Sequence, residues 1–151
     1  MELESFGRRM IELLPQLVRG IARQEHNSLS RGEITLPQLW GLEHLARRGA
    51  GCAMHELARF LHSSRPAATG LIDRLMRQGL VRRTDDPRDR RIVRVMITPK
   101  GRRLVADIWE QKRHAIVRVF RHIAPADRAH YLATLEQVVR VLSQGAPPPH
   151  P

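Results

Sequence analysis

Apolar residues recur three and four positions apart through residues 4–24, which places Phe6, Met10, Leu13, Leu14, Leu17, Val18 and Ile21 on one broad face. That period predicts an amphipathic helix. Pro15 falls inside it and predicts a kink or a late start, because its ring blocks one backbone hydrogen bond. The polar stretch 25–33 reads as a linker. Thr35-Leu36-Pro37-Gln38 then has the form of a capping box, opening a helix with Leu39, Trp40, Leu42 and Leu45 on its apolar side. Glycines in "RRGAG" (48–51) suit its end. A short helix is predicted over 54–61. A third helix is capped by Ser64, carries Pro66 in its first turn, and runs to about Gln78 before Gly79.

Beyond Gly79 the period changes from helical to extended. Residues 80–83 and 92–97 are short and rich in β-branched side chains, with Asp85-Asp86-Pro87 as a turn between them, so they form a hairpin. After Pro99-Lys100-Gly101 a long helix carries Leu104, Val105, Ile108, Trp109, Ile116, Val119 and Phe120. Pro125 interrupts it, and Tyr131, Leu132, Leu135, Val138, Val139 and Leu142 mark a last helix. The end, 146–151, reads as a disordered tail. No internal repeat is present. The fold expected is mainly α with a small β-wing.

Charge sharpens this outline. The chain has 151 residues, a formal net charge of +11 and a pI near 11.5. A balance that basic points to a polyanion: nucleic acid, a membrane surface or an acidic partner. Residues 65–103 hold twelve arginines and lysines against four aspartates, so a net +8 of the excess is concentrated there. No run has the length of a membrane span and nothing resembles a secretory leader, which makes the cytoplasm the expected compartment. Cys52 is the single cysteine, so an internal disulfide and a four-cysteine zinc site are excluded.

Two short helices, a tight turn and a basic hairpin follow the order of a winged helix-turn-helix. Spacing the third helix at 100° per residue puts Ala68, Leu71, Ile72, Leu75 and Met76 on one side. Pro66, Gly70, Asp73, Arg74 and Arg77 fall on the other, with Arg65 and Thr69 near the boundary at the N-terminal end. A helix that enters the major groove presents its N-terminal residues to base edges, where Ser, Thr and Arg can donate. Gly70 lowers helix propensity by about 1 kcal/mol relative to alanine, which a close approach of DNA or of a neighbouring helix would explain. At the hairpin tip, Arg88, Arg90 and Arg91 can reach a narrow minor groove or hold phosphates. Asp89 among them makes sense as an acid that orients one arginine.

The segment from Ile34 to Val105 resembles the multiple antibiotic resistance regulator (MarR) family over about 70 residues. Its most specific part is "GLIDRLMRQGLVRRTDDPRDRRIVRVMITPKG". There Asp86, Arg88, Asp89 and Arg91 match the family's D-x-R-D-x-R wing motif, followed by a Thr-x-x-Gly helix start at Thr98 and Gly101. The resemblance implies one domain over 1–145, with the winged helix-turn-helix at about 35–100 and dimerisation helices at about 4–24 and 101–143. It implies a homodimer that sets two recognition helices on a pseudo-palindromic operator in double-stranded DNA, a repressor released by a small apolar or aromatic effector. Carried over residue by residue, Ser64, Arg65, Pro66 and Thr69 would read the major groove, and Arg74 and Arg77 would grip phosphates. Asp89 would orient the wing, and Arg90 or Arg91 would enter the minor groove. Trp40, His44 and Trp109 become candidate ligand-binding residues, since helices at their places line the family's effector pocket.

Other chemistry has less support. Cysteine-sensing relatives carry the reactive residue in the first helix, whereas Cys52 lies in the connector before the short helix and reads as a small half-buried residue. His55 and His62 are seven apart, but no carboxylate pair completes a metal site. "HEL" at 55–57 lacks the second histidine of a zinc-protease helix, and no Gly-rich phosphate loop is present, so no enzyme, cofactor or metal is expected. The competing class is an effector-independent winged-helix architectural or nucleic-acid-binding protein. A helical module for an acidic protein partner is a third.

Overall fold

The computed structural model describes residues 1–89 and 91–144; the expected tail at 146–151 and Arg90 at the wing tip lie outside them. The elements run α1 (Leu3–Ala22), α2 (Leu36–Arg47), β1 (Cys52–Ala53), α3 (Met54–Phe60), α4 (Arg65–Arg77), β2 (Val81–Asp85), β3 (Val93–Ile97), α5 (Pro99–Phe120) and α6 (Pro125–Ser143). Side-chain caps start three of the helices. The Thr35 hydroxyl accepts from the Gln38 N–H while the Gln38 side chain accepts from the Thr35 N–H at 2.8 Å. Ser64 accepts from the Ala67 N–H at 3.3 Å, and Thr98 from the Gly101 N–H at 3.1 Å. α4 ends at Gln78 because Gly79 takes a positive φ of 71°.

One core holds the head together. Leu39, Leu42 and Leu45 from α2 meet Leu57, Ile72 and Leu75 from α3 and α4, with Val95 below them and Ile108 of α5 closing one side. The sheet has three antiparallel strands in the order β1-β3-β2, with Cys52 opposite Val95 and Arg83 opposite Val95 on the other edge. β1 is absent from the sequence expectation. Two residues carry no period of their own, and only pairing with β3 makes them a strand. Gly51 makes that pairing possible: its φ is +72° and a Cβ there would strike the Val95 carbonyl oxygen.

Two expectations need correcting. α1 begins at Leu3 and passes through Pro15 as one helix, so no late start occurs. Enough turns stand on each side of Pro15 that one missing hydrogen bond does not end it. The stretch expected as a linker is folded. Asn27 Oδ1 accepts from the N–H groups of Leu29 and Ser30 at 3.0 Å, and its amide donates to Glu25. Lys112 of α5 donates to both Glu25 carboxylate oxygens at 2.8 and 3.0 Å, with the Glu25 side chain almost fully buried. A polar composition hid a docked turn, because its hydrogen-bond partner is far away in sequence.

Candidate nucleic-acid interface

α4 meets the core through Ala68, Leu71, Ile72 and Leu75, all buried. Its opposite side is open to solvent. Ser64, Arg65, Pro66, Arg74 and Arg77 are exposed and Thr69 is half-buried. Arg65, Arg74 and Arg77 have no carboxylate within ion-pair distance among the described residues. Asp73, the acid on this face, is bound by Arg83 of β2 at 2.7 Å. That pair ties the helix to the wing strand and removes the charge that would oppose phosphates.

The wing stands beside the N-terminal end of α4. A cleft of about 370 Å³ separates them, lined by His55 of α3, Arg65 and Thr69 of α4, and Arg91 and Ile92 of the wing. Residues taken from separate parts of the sequence, Arg65, Thr69 and Arg91, therefore share one surface. Arg88 and Asp89 lie on the wing's other side, around a second cleft with Asp86 and Arg94.

Asp89 holds the wing turn through its backbone neighbours more than through a guanidinium. Its Oδ1 accepts from the Arg91 N–H at 2.9 Å and lies 3.8 Å from Arg91 Nε, on a fully solvated side chain. The acid that locks the wing is Asp86, the first residue of the D-x-R-D-x-R motif. Asp86 Oδ1 accepts from the N–H groups of Arg88 (2.8 Å) and Asp89 (3.3 Å), and Oδ2 accepts from Arg94 Nη1 at 2.7 Å. Arg94 also donates to the carbonyls of Ala50 and Gly51 at 3.2 and 3.0 Å. The wing is thus clamped to the connector between α2 and α3. The Arg94 guanidinium, and then the Arg88 N–H, hold the Asp86 carboxyl below the usual carboxylate range. The sequence did carry a signal in Asp86-Pro87, an acid that caps its own turn.

The three candidate ligand-binding residues are not gathered in one place. Trp109 lines an open hollow of about 570 Å³ with Glu43, Ala46, Arg47 and Val105, and donates from Nε1 to Glu43. Trp40, half exposed, and His44 do not line it. His44 stacks on Phe60 with ring centroids 4.0 Å apart, and its Nε2 is buried without a protein partner. Burial, then Arg48 and Arg47, push its pKa down. Cys52 is fully buried in β1, and burial pushes its thiol pKa up, which suits packing and not thiolate chemistry. Among the described residues no three His, Cys, Asp or Glu side chains converge on a metal-sized site, and no helix is long and apolar enough to cross a membrane.

This arrangement coincides with known proteins. The MarR family model matches residues 34–93, the stretch from the start of α2 into β3. The uncharacterized HTH-type transcriptional regulator YsmB of Bacillus subtilis (strain 168) is 31% identical over 100 residues, which cover 66% of this chain and 68% of that one. The chain belongs to the MarR family. As a MarR protein it is a DNA-binding transcriptional regulator and not an enzyme. Solved structures agree in fold: RV1404 from Mycobacterium tuberculosis superposes with a TM-score of 0.80 at 25% identity, covering 93% of this chain and 94% of that one. A MarR family protein from Bacillus stearothermophilus does so at 0.76 and 22% identity, covering 95% and 99%.

Proposed function

We propose that this MarR protein is a homodimeric, cytoplasmic repressor that binds a pseudo-palindromic operator and lets go when a small apolar or aromatic effector binds. The observation that carries the reading is the shared surface of α4 and the wing, where Arg65 and Thr69 face Arg91 across one cleft. Ser64, Arg65, Pro66 and Thr69 read bases in the major groove, and Arg74 and Arg77 hold phosphates. Arg88, Arg90 and Arg91 serve the wing, one of them entering the minor groove while Asp89 shapes the tip.

The helices outside the head support the dimer. α1 and α6 bury no residue within the chain, yet Phe6, Met10, Leu13, Leu14 and Val18 of α1 and Leu132, Leu135, Val139 and Leu142 of α6 are apolar and exposed. This exposed surface supports a division into a head at about 35–100 and dimerisation helices at about 4–24 and 101–143. Release by an effector draws on the Trp109 hollow between α2 and α5, while Trp40 and His44 stand on α2 outside that hollow. Selecting bound fragments from genomic DNA with the purified protein, then titrating the selected duplex across salt, tests the operator. Adding aromatic and apolar compounds to the complex tests release. Binding that ignores scrambling of the selected sequence would favour the architectural reading instead.

A further inference from the structure

Gly70 sits in the second turn of α4, half-buried like Asp73, on the face that carries the exposed Pro66, Arg74 and Arg77. Glycine weakens a helix interior because its backbone has the most freedom to lose. Gly51 and Gly101 are imposed by backbone oxygens that leave no room for a Cβ. Gly70 is not. A Cβ there would meet no atom outside its own helix turn within 4 Å, and Gly70 is not among the glycines of positive φ. A neighbouring helix of the same chain, one of the two explanations the sequence allowed, is therefore ruled out among the described residues.

An approach from outside the chain is the other explanation, and the surroundings indicate its charge. Arg74 and Arg77 flank Gly70 on the same face, and Arg65 lies just over one turn away; none has a carboxylate partner among the described residues. Asp73, three residues on, is neutralised by Arg83 at 2.7 Å. A second copy of this chain would bring like charge to that stripe, whereas a polyanion is matched by it. A helix with side chains is about 10–12 Å across, close to the roughly 12 Å width of the major groove. Removing one side chain from the groove-facing side lets the helix settle deeper.

We infer that Gly70 is a specificity-setting residue: the bare helix surface at this position seats against the DNA, and that seating sets the depth at which Arg65 and Thr69 meet base edges. The inference rests on the assignment of α4 to the major groove. A looser, non-specific complex does not need the same depth.

The test compares wild type with Gly70→Ala and Gly70→Leu, using a duplex that wild type selects from a randomised library and a scrambled version at the same salt. Gly70→Ala should melt a few degrees higher than wild type, since alanine favours the helix and nothing in the fold obstructs it. It should bind the selected duplex about tenfold more weakly, as a crowded contact does, while its affinity for the scrambled duplex changes less than about twofold. Gly70→Leu should bind the selected duplex more weakly again. A stabilised Gly70→Ala that binds the selected duplex like wild type overturns the inference, as does an equal loss on both duplexes. A lower melting temperature for Gly70→Ala would mean that protein, not DNA, approaches this position. If wild type selects no duplex at all, it is the regulator reading that fails, and the seating role with it.

Discussion

Arg94 reaches from β3 to the connector before α3, where Asp86 meets it at 2.7 Å and two carbonyls accept from its Nε and Nη2. Losing the Asp86 carboxylate frees two backbone N–H groups and one guanidinium, while losing Asp89 frees one N–H and a loose contact. Asp86→Ala should therefore cost more operator affinity than Asp89→Ala, measured on one duplex at one salt concentration. Asp89→Ala should still lose discrimination between operator and random DNA, although it raises the net charge. The sign of the pH effect follows from the lowered Asp86 pKa. Its contribution to stability is present above the ordinary carboxylate value of about 3.9 and disappears as pH falls through the lower folded value. Asp86→Asn should accordingly lose less stability than wild type as pH falls below about 5. His62 shows a different kind of cost. It holds a φ of 47° in the turn between α3 and α4, where a Cβ is disfavoured by about 1–2 kcal/mol. Against a chain-entropy loss of about 0.5–1 kcal/mol, His62→Gly should stabilise by up to about 1 kcal/mol, seen as a higher denaturant midpoint with unchanged slope.

Each element does two jobs, and the junctions between them are where substitutions will be felt. α5 starts against the wing: Thr98 caps the Gly101 N–H and donates to the Gly79 carbonyl at 2.8 Å, while a Cβ on Gly101 would strike the Leu80 carbonyl oxygen. Gly101→Ala should destabilise the protein by about 1–3 kcal/mol in a denaturant melt, because neither backbone can yield cheaply. α4 divides along its length into a buried row and a charged row. Arg77 stands on the charged row at its C-terminal end, so Arg77→Ala should weaken every duplex alike and lower the slope of log K against log salt by about one. Arg65→Ala, near the N-terminal end, should also blur base preference. Equal effects of the two substitutions on scrambled and selected DNA would reverse the roles given to the two ends of the helix.

At the scale of the whole molecule, the head has a closed core and the two terminal helices do not. Leu132, Val139 and Leu142 of α6 are each more than half exposed in the single chain, a surface that water alone does not stabilise. Sedimentation at micromolar concentration should find a dimer, and the melting temperature should rise with protein concentration, because association binds only the folded form. A monomer with a concentration-independent melt would contradict the dimer.

Local chemistry made most of this legible from residues alone. Thr35, Ser64 and Thr98 cap helices with partners three residues away, and the apolar rows of α2 and α4 repeat at 3.6 residues, so short-range order is written where it acts. The wing arginines and the family motif were likewise readable in one stretch. The features that only the tertiary structure decided depend on partners distant in sequence. β1 exists through Val95 and Arg94, the 25–33 turn is anchored by Lys112, and the Asp86 clamp closes through Arg94 onto Ala50 and Gly51. Neither period nor propensity encodes such pairings, because their energy is gained only once loops of tens of residues have closed. The empty space around Gly70 is of this kind too: a sequence can show that a side chain is missing, but only the packed fold shows that nothing inside the chain fills its place.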